Sequence, residues 1–546
     1  MVVDANVSIG GVSFTQFVLN SLPGHENVQA KTVMSNGGQN KSSSVVSEDL
    51  YALPENALQV LDRYFECRNI LTPMFHVPSA RPAFQAAICC PLRDRHKHRL
   101  EYVLLNMVLA LCTSHWLVDV DANPRTARQH YDTAMALLQP TILRDWTLQH
   151  VQALLLGARY LQGTSCGDEC WNVLGLAIRI AYGLRLHQEP PETDAPPLRE
   201  TKRRVWYAAY TLDMHWSMVY QRPPATRSSD FSISMLEDLD DDCIQSDRIL
   251  YPSPRRPSSM SFFIEVVKLY QIVEKVLARL SESQGGNRET AELAMGFDEE
   301  WQRWYRERPA NLMLDETAAK EPPWILALRG NMVRILIHRQ SLKIKAENST
   351  TCNDSVVTHI LQFSQKICVK AAMESIDIVA LRHAQTKRTS GLDFFNIYYL
   401  FNAVIVLVSH IVDPQNAHDR TALDKVDEAL HMINAMSSNH SFAQWAYSFL
   451  QQLLGYLHQS TGAQQPQPMT IPQSSIPLRQ STGSMASQTA VNRGSEELQD
   501  LHALFGLAQD LTVDLETQFG ILDPGISESF WAFDDETSFS SVAGRS

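Results

Sequence analysis

The sequence predicts an all-α protein: a large irregular helical array with a disordered N-terminus, a Gln/Pro/Ser linker and an acidic C-terminal tail. Three observations predict it. Apolar residues recur at three- and four-residue steps from Leu58 onward. Val151, Leu154, Leu155, Ala158 and Leu161 form one such face, and Leu174, Ala177, Ile178, Ala181 and Leu184 form another. Few segments alternate with a strict period of two, which argues against a sheet. Prolines and cap residues stand where helices should start and stop.

In chain order, the candidate helices cover about 56–67, 96–116, 124–139, 147–162, 169–186, 199–219, 260–281, 290–306, 323–346, 355–384, 391–412, 420–437 and 439–458. Asn123 is placed to cap the third, with Pro124 at its first position, where no backbone N–H is needed. Asp168 is placed to cap the fifth. Pro140, Pro190–Pro191 and Pro223–Pro224 follow helix ends, because the ring cannot continue a helix. No fixed-period repeat emerges, so the array is not read as a solenoid.

The segments outside the helices differ in composition. Residues 1–50 are rich in Ser, Asn, Gly and Val, and Ser35–Ser47 has too little apolar surface to order itself. Residues 51–460 are expected to form one helical domain, with 461–494 a low-complexity linker and 495–546 an acidic aromatic tail that begins with a short amphipathic helix, Glu496–Leu511. Of the formal net charge of -13, residues 491–546 carry -9 through eleven acids and two bases, and the body is nearly balanced at -4. Such a chain repels nucleic acid unless a local basic patch intervenes.

The nine cysteines show no framework spacing, which reads as free thiols in a reducing compartment. Met1 to Ser13 lacks the basic and apolar regions of a signal peptide. The apolar stretches Val103–Cys112 and Phe401–Val408 are too short to span a bilayer and are interrupted by Asn106 and Asn402. No membrane is therefore expected, and cytosol or nucleus remains.

The polar residues read mostly as structure. Lys202-Arg203-Arg204 is a solvated helix start, or pairs with local acids such as Glu200. The run Arg93–Arg99 is broken by Asp94 and reads as a surface loop. Cys166 and Cys170, with His187 downstream, lack the further ligands a metal site needs. Asp213 shares a helix face with Trp206, Ala209, Tyr210 and Trp216, so its carboxylate needs a partner. Arg179 and Arg222 are the candidates, giving a structural ion pair. His76, His130 and His187 are dispersed, with no nucleophile context, and no phosphate-cradling glycine pattern exists. No catalytic residue, metal or cofactor is assigned, and an enzyme is not expected.

Three segments carry a resemblance. The first is Tyr64-Phe65 with Leu71–Ser79 (LTPMFHVPS) and Phe84. The second is Val151–Leu156, Tyr160-Leu161, Trp171-Asn172 and Gly175–His187 (GLAIRIAYGLRLH). The third is Glu200–Tyr207 (ETKRRVWY), Leu212-Asp213 and Gln221-Arg222-Pro223. In this order and spacing they resemble the fungal-specific transcription factor domain, also called the middle homology region or xylanolytic activator regulatory domain. The likeness is close over roughly 60–240 and weaker to about 460. Arg185 and Gln221 stand where the pattern usually has glycine.

The resemblance implies a nuclear regulator of RNA polymerase II-dependent transcription, with coactivators or other transcription factors as partners and a small-molecule effector in reach of an interhelical pocket. The family's usual head holds two zinc ions on six cysteines in two C-x2-C-x6-C arms. No C-x2-C pair occurs here, the first cysteine is Cys67, and residues 1–60 carry only Lys31 and Lys41 as bases. The DNA-binding and zinc-binding features of the family are thus not expected of this chain. One alternative is a truncated gene product whose zinc cluster lies upstream, and another is a helical metabolite-binding protein or enzyme. In the tail, Phe530, Trp531, Phe533 and Phe539 interleave with Asp534, Asp535 and Glu536, a composition that reads as an activation segment.

Overall fold

The computed structural model describes residues 48–116, 123–164, 167–220, 222–254, 256–282, 287–314, 321–343, 355–385, 393–413, 415–437 and 441–460. Among them the protein is all-α, with fifteen α-helices and no strand. One isolated bridge pairs Ile244 with Ile249. The expected disorder of residues 1–47, the linker 461–494 and the tail 495–546 lie outside the described residues. Residues 48–50, expected within the disordered N-terminus, instead enter a 3-10 turn, Glu48–Tyr51, whose Tyr51 is buried against the Tyr102 ring.

The first seven helices are α1 (Ala57–Cys67), α2 (Val77–Cys89), α3 (Arg99–Leu111), α4 (Pro124–Leu138), α5 (Leu148–Leu161), α6 (Gly167–Gly183) and α7 (Pro196–Tyr220). Helices α3 and α5 form the centre. Every residue from Tyr102 to Leu111 and from His150 to Leu161 is buried, because α3 packs on α1, α2, α4 and α5 while α5 packs also on α6 and α7. The apolar stretch Val103–Cys112 is thus a core helix and the turn after it. Asn106 is accommodated there because its Nδ2 donates to the Tyr102 carbonyl one turn back, at 2.9 Å, and its Oδ1 accepts from His130 Nδ1.

The remaining helices are α8 (Ser261–Glu282), α9 (Asn287–Glu307), α10 (Glu321–His338), α11 (Gln340–Lys343), α12 (Ser355–Gln385), α13 (Asp393–Ile411), α14 (Arg420–Ser437) and α15 (Ser441–Ser460). They pack in succession: α7 on α8, α8 on α9 and α10, α10 on α12, α12 on α13, and α13 on α14 and α15. Asn402 repeats the device of Asn106, its Nδ2 donating to Tyr398 O at 2.9 Å. Polar contacts tie α9 to α10. Trp301 Nε1 donates to the Gly330 carbonyl at 2.8 Å, and Asp298 accepts from Arg334 Nε at 2.8 Å. No helix among the described residues is long and apolar enough to cross a membrane.

Several helices differ from the sequence expectation. Helix α2 was not expected, since Pro78 and Pro82 lie in it. Pro78 falls in the first turn, where a missing N–H costs nothing, and the helix tolerates the one bond lost at Pro82. The helix expected over 96–116 is a 3-10 turn (Leu92–His98), then α3, then a π-helical turn (Cys112–Trp116). There the Thr113 and Ser114 hydroxyls bond the carbonyls of Leu109 and Leu111, competing with the regular ladder. Helix α7 starts at Pro196 rather than 199, with prolines at its first two positions. The helix expected over 323–346 breaks at Arg339, where the Ser341 hydroxyl takes the His338 carbonyl at 2.6 Å; residues 344–346 lie outside the described residues.

The cap signals fared unequally. Asn123 Oδ1 accepts from the Thr126 amide at 3.1 Å, capping α4 as its side-chain chemistry dictates. Asp168 instead lies inside the first turn of α6, and its carboxylate takes Arg222.

Candidate functional site

The three segments singled out in the sequence meet in one buried polar node. Asn69 imitates backbone pairing across the loop before α2: its Nδ2 donates to Phe75 O at 3.1 Å and its Oδ1 accepts from Phe75 N at 3.3 Å. Gln152, on α5, donates to the Met74 carbonyl at 2.6 Å. The loop so held presents Phe75 to Phe65 and Phe84, with ring centroids 6.0 and 5.7 Å away.

Asp241 joins this loop to α7. Its Oδ2 accepts from the Val77 amide at 2.8 Å, at the start of α2, where a negative charge is favoured. Its Oδ1 accepts from Arg204 Nη1 at 2.6 Å. His76 Nε2 donates to the Asp241 carbonyl at 3.0 Å, which leaves Nδ1 for the Ser79 hydroxyl at 2.8 Å. Arg204, 0% exposed, also bonds Glu200, 1% exposed, at 3.3 Å. Burial pushes the Glu200 carboxyl above its ordinary range, against the pull of Arg204 and Arg203.

The triplet Lys202-Arg203-Arg204 is therefore not a solvated helix start. Each cation is paired: Lys202 with Asp194 at 2.6 Å, Arg203 with Glu189 and Glu200, and Arg204 with Glu200 and Asp241. Glu189 also accepts from the Ser234 amide, and Glu200 from that of Glu237. The node thereby fastens the irregular stretch 231–244 along α7.

The residues predicted as an ion pair are placed as follows. Asp213 is buried, and its Oδ2 accepts from both the amide and the hydroxyl of Thr226 at 2.7 Å. Burial raises its carboxyl above the ordinary range, and the Thr226 and Ala225 hydrogen bonds limit the rise. Arg222 pairs with Asp168 at 3.0 Å, near the surface and over the Trp171 ring, and Arg179 is exposed. The partner an arginine was expected to supply is thus a threonine, because the 222–226 turn folds back onto α7 with Thr226 inward and Arg222 outward. Phe530, Trp531, Phe533 and Phe539 lie outside the described residues, as do Cys166 and Gln221.

The other candidates are structural. His130 donates to Asn106, and the His187 ring lies between Tyr182 and Trp206, with burial and then Arg185 holding it below the ordinary histidine range. Cys170 is buried, its Sγ 3.2 Å from Ala158 O. Among the described residues no three His, Cys, Asp or Glu side chains gather as metal ligands would. Arg185 has a left-handed backbone, φ 56°, at the end of α6. There Leu186 N bonds Ala181 O and Arg185 N bonds Tyr182 O, a paired closure that ordinarily takes glycine at this position. The sequence pattern that has glycine here has it for that reason.

Beside the node lies a mainly apolar cleft of about 310 Å³, walled by Phe75, Ala80, Phe84, Leu104, Leu148 and Leu198. Gln149, bonded to Glu101 at 3.1 Å, edges it. The chemistry it offers is apolar contact with hydrogen bonds at the rim.

Comparison with known proteins identifies what these segments build. Residues 61–313, from α1 to the turn after α9, match the description "Fungal specific transcription factor domain". Over these residues the chain is similar to the fungal specific transcription factor domain. The Asn69, Gln152, Glu200, Arg204 and Asp241 node lies wholly within this domain. Similar curated proteins include Transcription factor FBD3 of Gibberella moniliformis, 25% identical, with 77% of this chain and 61% of that protein covered. The ABC-transporter-regulating transcription factors of Aspergillus oryzae and Aspergillus fumigatus are 23% and 24% identical, each with 71% of this chain and 44% of the relative covered. The chain spans between 44% and 61% of the length of these relatives.

Of the node's members, Glu200 and Arg204 were legible as an i,i+4 pair. Asp241, Asn69 and Gln152, and outside the node Thr226, carried no local signal, since their partners lie 6 to 164 residues away in sequence.

Proposed function

We propose that the protein is a nuclear regulator of RNA polymerase II-dependent transcription that acts through protein contacts rather than by reading DNA itself. The observation that carries this reading is the match of residues 61–313 to the fungal specific transcription factor domain. The helical body serves as scaffold and presents the acidic segment 495–546, whose Phe530, Trp531, Phe533 and Phe539 dock on coactivators or other transcription factors. The paired state of Lys202, Arg203 and Arg204 supports it, because cations already held by carboxylates of the chain are less available to phosphates. So does the net charge of -13. The roles of the described His and Asp residues are those of a scaffold, in keeping with a regulator rather than an enzyme.

The experiment fuses residues 491–546 to an unrelated DNA-binding domain upstream of a reporter. Activation that falls when Trp531 and Phe533 are replaced by alanine is expected; no activation would remove the tail from the proposal. In parallel, the purified chain is expected to show no sequence preference for promoter DNA at physiological salt. A second reading rests on the relatives' greater length. Sequencing the 5′ end of the transcript tests it, because an upstream exon with six cysteines in two C-x2-C-x6-C arms would add direct DNA binding.

A further inference from the structure

The stretch 231–244, fastened to α7 by the polar node, is also bonded to the residues that open α8. Asp238 Oδ1 accepts from the hydroxyls of Ser258 and Ser261 at 2.6 and 2.7 Å, and Asp240 Oδ1 accepts from the Ser259 amide at 2.8 Å. The Ser258 hydroxyl in turn accepts from the Met260 amide at 3.0 Å. These serines close the sequence Arg255-Arg256-Pro257-Ser258-Ser259, of which Arg255 lies outside the described residues. We propose that Ser258 is a phosphorylation site for an arginine-directed serine kinase, and that the phosphoryl group displaces Asp238 and Asp240 from the start of α8.

Sequence and exposure point to the acceptor. Two guanidinium groups stand three and two residues ahead of the Ser258 hydroxyl, a charge pattern that fits a kinase whose substrate groove is lined with carboxylates. The approach is open: Pro254, Arg256, Pro257 and Ser259 are exposed, Ser258 is half-buried, and the described residues from 250 to 257 belong to no helix or strand. The transfer is ordinary phosphoryl chemistry with ATP as donor. Ser258 Oγ bonds the γ-phosphorus as the bond to the β,γ-bridging oxygen breaks, ADP leaves, and the hydroxyl proton passes to the kinase's base and on to water.

The hydrogen bonds around Ser258 set the consequence. Its hydroxyl donates to Asp238, and a phosphate ester has no such hydrogen to give, so that bond is lost. In its place a group of charge about −1.5 to −2 stands against the Asp238 carboxylate, with Asp240 held one residue on, at the Ser259 amide. The start of a helix favours negative charge, and the phosphate brings its own oxygens to the donors that the two aspartates now occupy. Helix α8 therefore keeps a cap, while residues 238–240 lose theirs to it. Asp241 is next in the chain and links Arg204 to the Val77 amide, so the phosphate acts on the polar node through one peptide. This inference does not rest on the regulatory reading and survives its failure.

The test treats the purified full chain with the catalytic subunit of cyclic-AMP-dependent protein kinase and magnesium ATP, then maps phosphate by peptide mass spectrometry. Phosphate on Ser258 is expected, and in Ser258→Ala the label at this position disappears. In Arg256→Ala, an exposed change, incorporation should slow at least about tenfold, as loss of one charge-assisted contact to the kinase requires, while Arg256→Lys retains part of the rate. Hydrogen exchange then compares the phosphorylated and unmodified chains. Amides of 236–241 should exchange at least about tenfold faster once phosphorylated, while those of 264–268 in α8 keep their protection. A full chain that takes no phosphate on Ser258, or an Arg256→Ala chain modified at the original rate, would overturn the site. Phosphate on Ser258 with unchanged exchange over 236–241 would overturn the displacement. Should Ser258→Ala fail to fold, the rates of Arg256→Ala and Arg256→Lys decide the site alone.

Discussion

Arg204 Nη1 donates to Asp241 Oδ1 at 2.6 Å, and the same guanidinium, wholly withdrawn from solvent, turns its Nε to Glu200 at 3.3 Å. One cation thus secures the start of α2, the middle of α7 and the stretch that ends at Asp241. Arg204→Ala would leave Glu200 buried beside a weakened partner. A loss of about 3–5 kcal/mol is expected, read by urea denaturation. Arg204→Met with Glu200→Leu should recover part of it, because the second change removes the stranded charge.

Asp213 and Arg222 give a contrast. Asp213→Ala removes the acceptor that holds the Thr226 amide and hydroxyl inside the body, and should cost about 2–3 kcal/mol. Arg222→Ala breaks a bridge whose two side chains are 39% and 66% exposed, and should cost less than about 1 kcal/mol. Equal losses in paired melts would mean that the turn at 222–226 is held from outside.

Arg185 adopts a backbone that side chains with a Cβ resist. Arg185→Gly should stabilise the protein by about 0.5–1 kcal/mol, and Arg185→Val should destabilise it. Thermal melts of the two variants test the sign directly.

His215 makes stability depend on pH. Its pKa is lowered from the ordinary 6.5 to about 3 by burial, then by Arg329 and Arg159; its Nδ1 lies 2.9 Å from Tyr270 Oη. The unfolded chain therefore takes up a proton near pH 6.5 that the folded chain refuses until about pH 3. This contribution is complete above about pH 6.5 and declines as pH falls toward 3, by about 2 kcal/mol at pH 5. Denaturation between pH 7 and 5 should show a shallower slope in His215→Gln than in the unaltered chain.

Much of this architecture was written in hydrophobic periodicity. The stretches Val103–Cys112 and Phe401–Val408 have the length of core helices, and both became the most enclosed parts of α3 and α13. Asn106 and Asn402, which looked like interruptions, each turn Nδ2 to a carbonyl one turn back on their own helix. What periodicity missed was decided elsewhere. Helix α2 carries two prolines that the propensity of its residues argued against, and packing of Phe84 against Phe65 and Phe75 overrode it. The polar node was legible only where its partners were neighbours on one helix. Asp241 is 37 residues from Arg204 and 164 from Val77, and no local pattern announces such a meeting.

The bonds from Trp301 to Gly330 and from Asp298 to Arg334 straddle residue 313, where the match to the fungal specific transcription factor domain ends. Homology and cooperative unfolding thus draw different borders. A fragment ending at 313 would bare the indoles of Trp301 and Trp304 and strand Asp298 without its cation, so it should aggregate where the longer body melts in a single step.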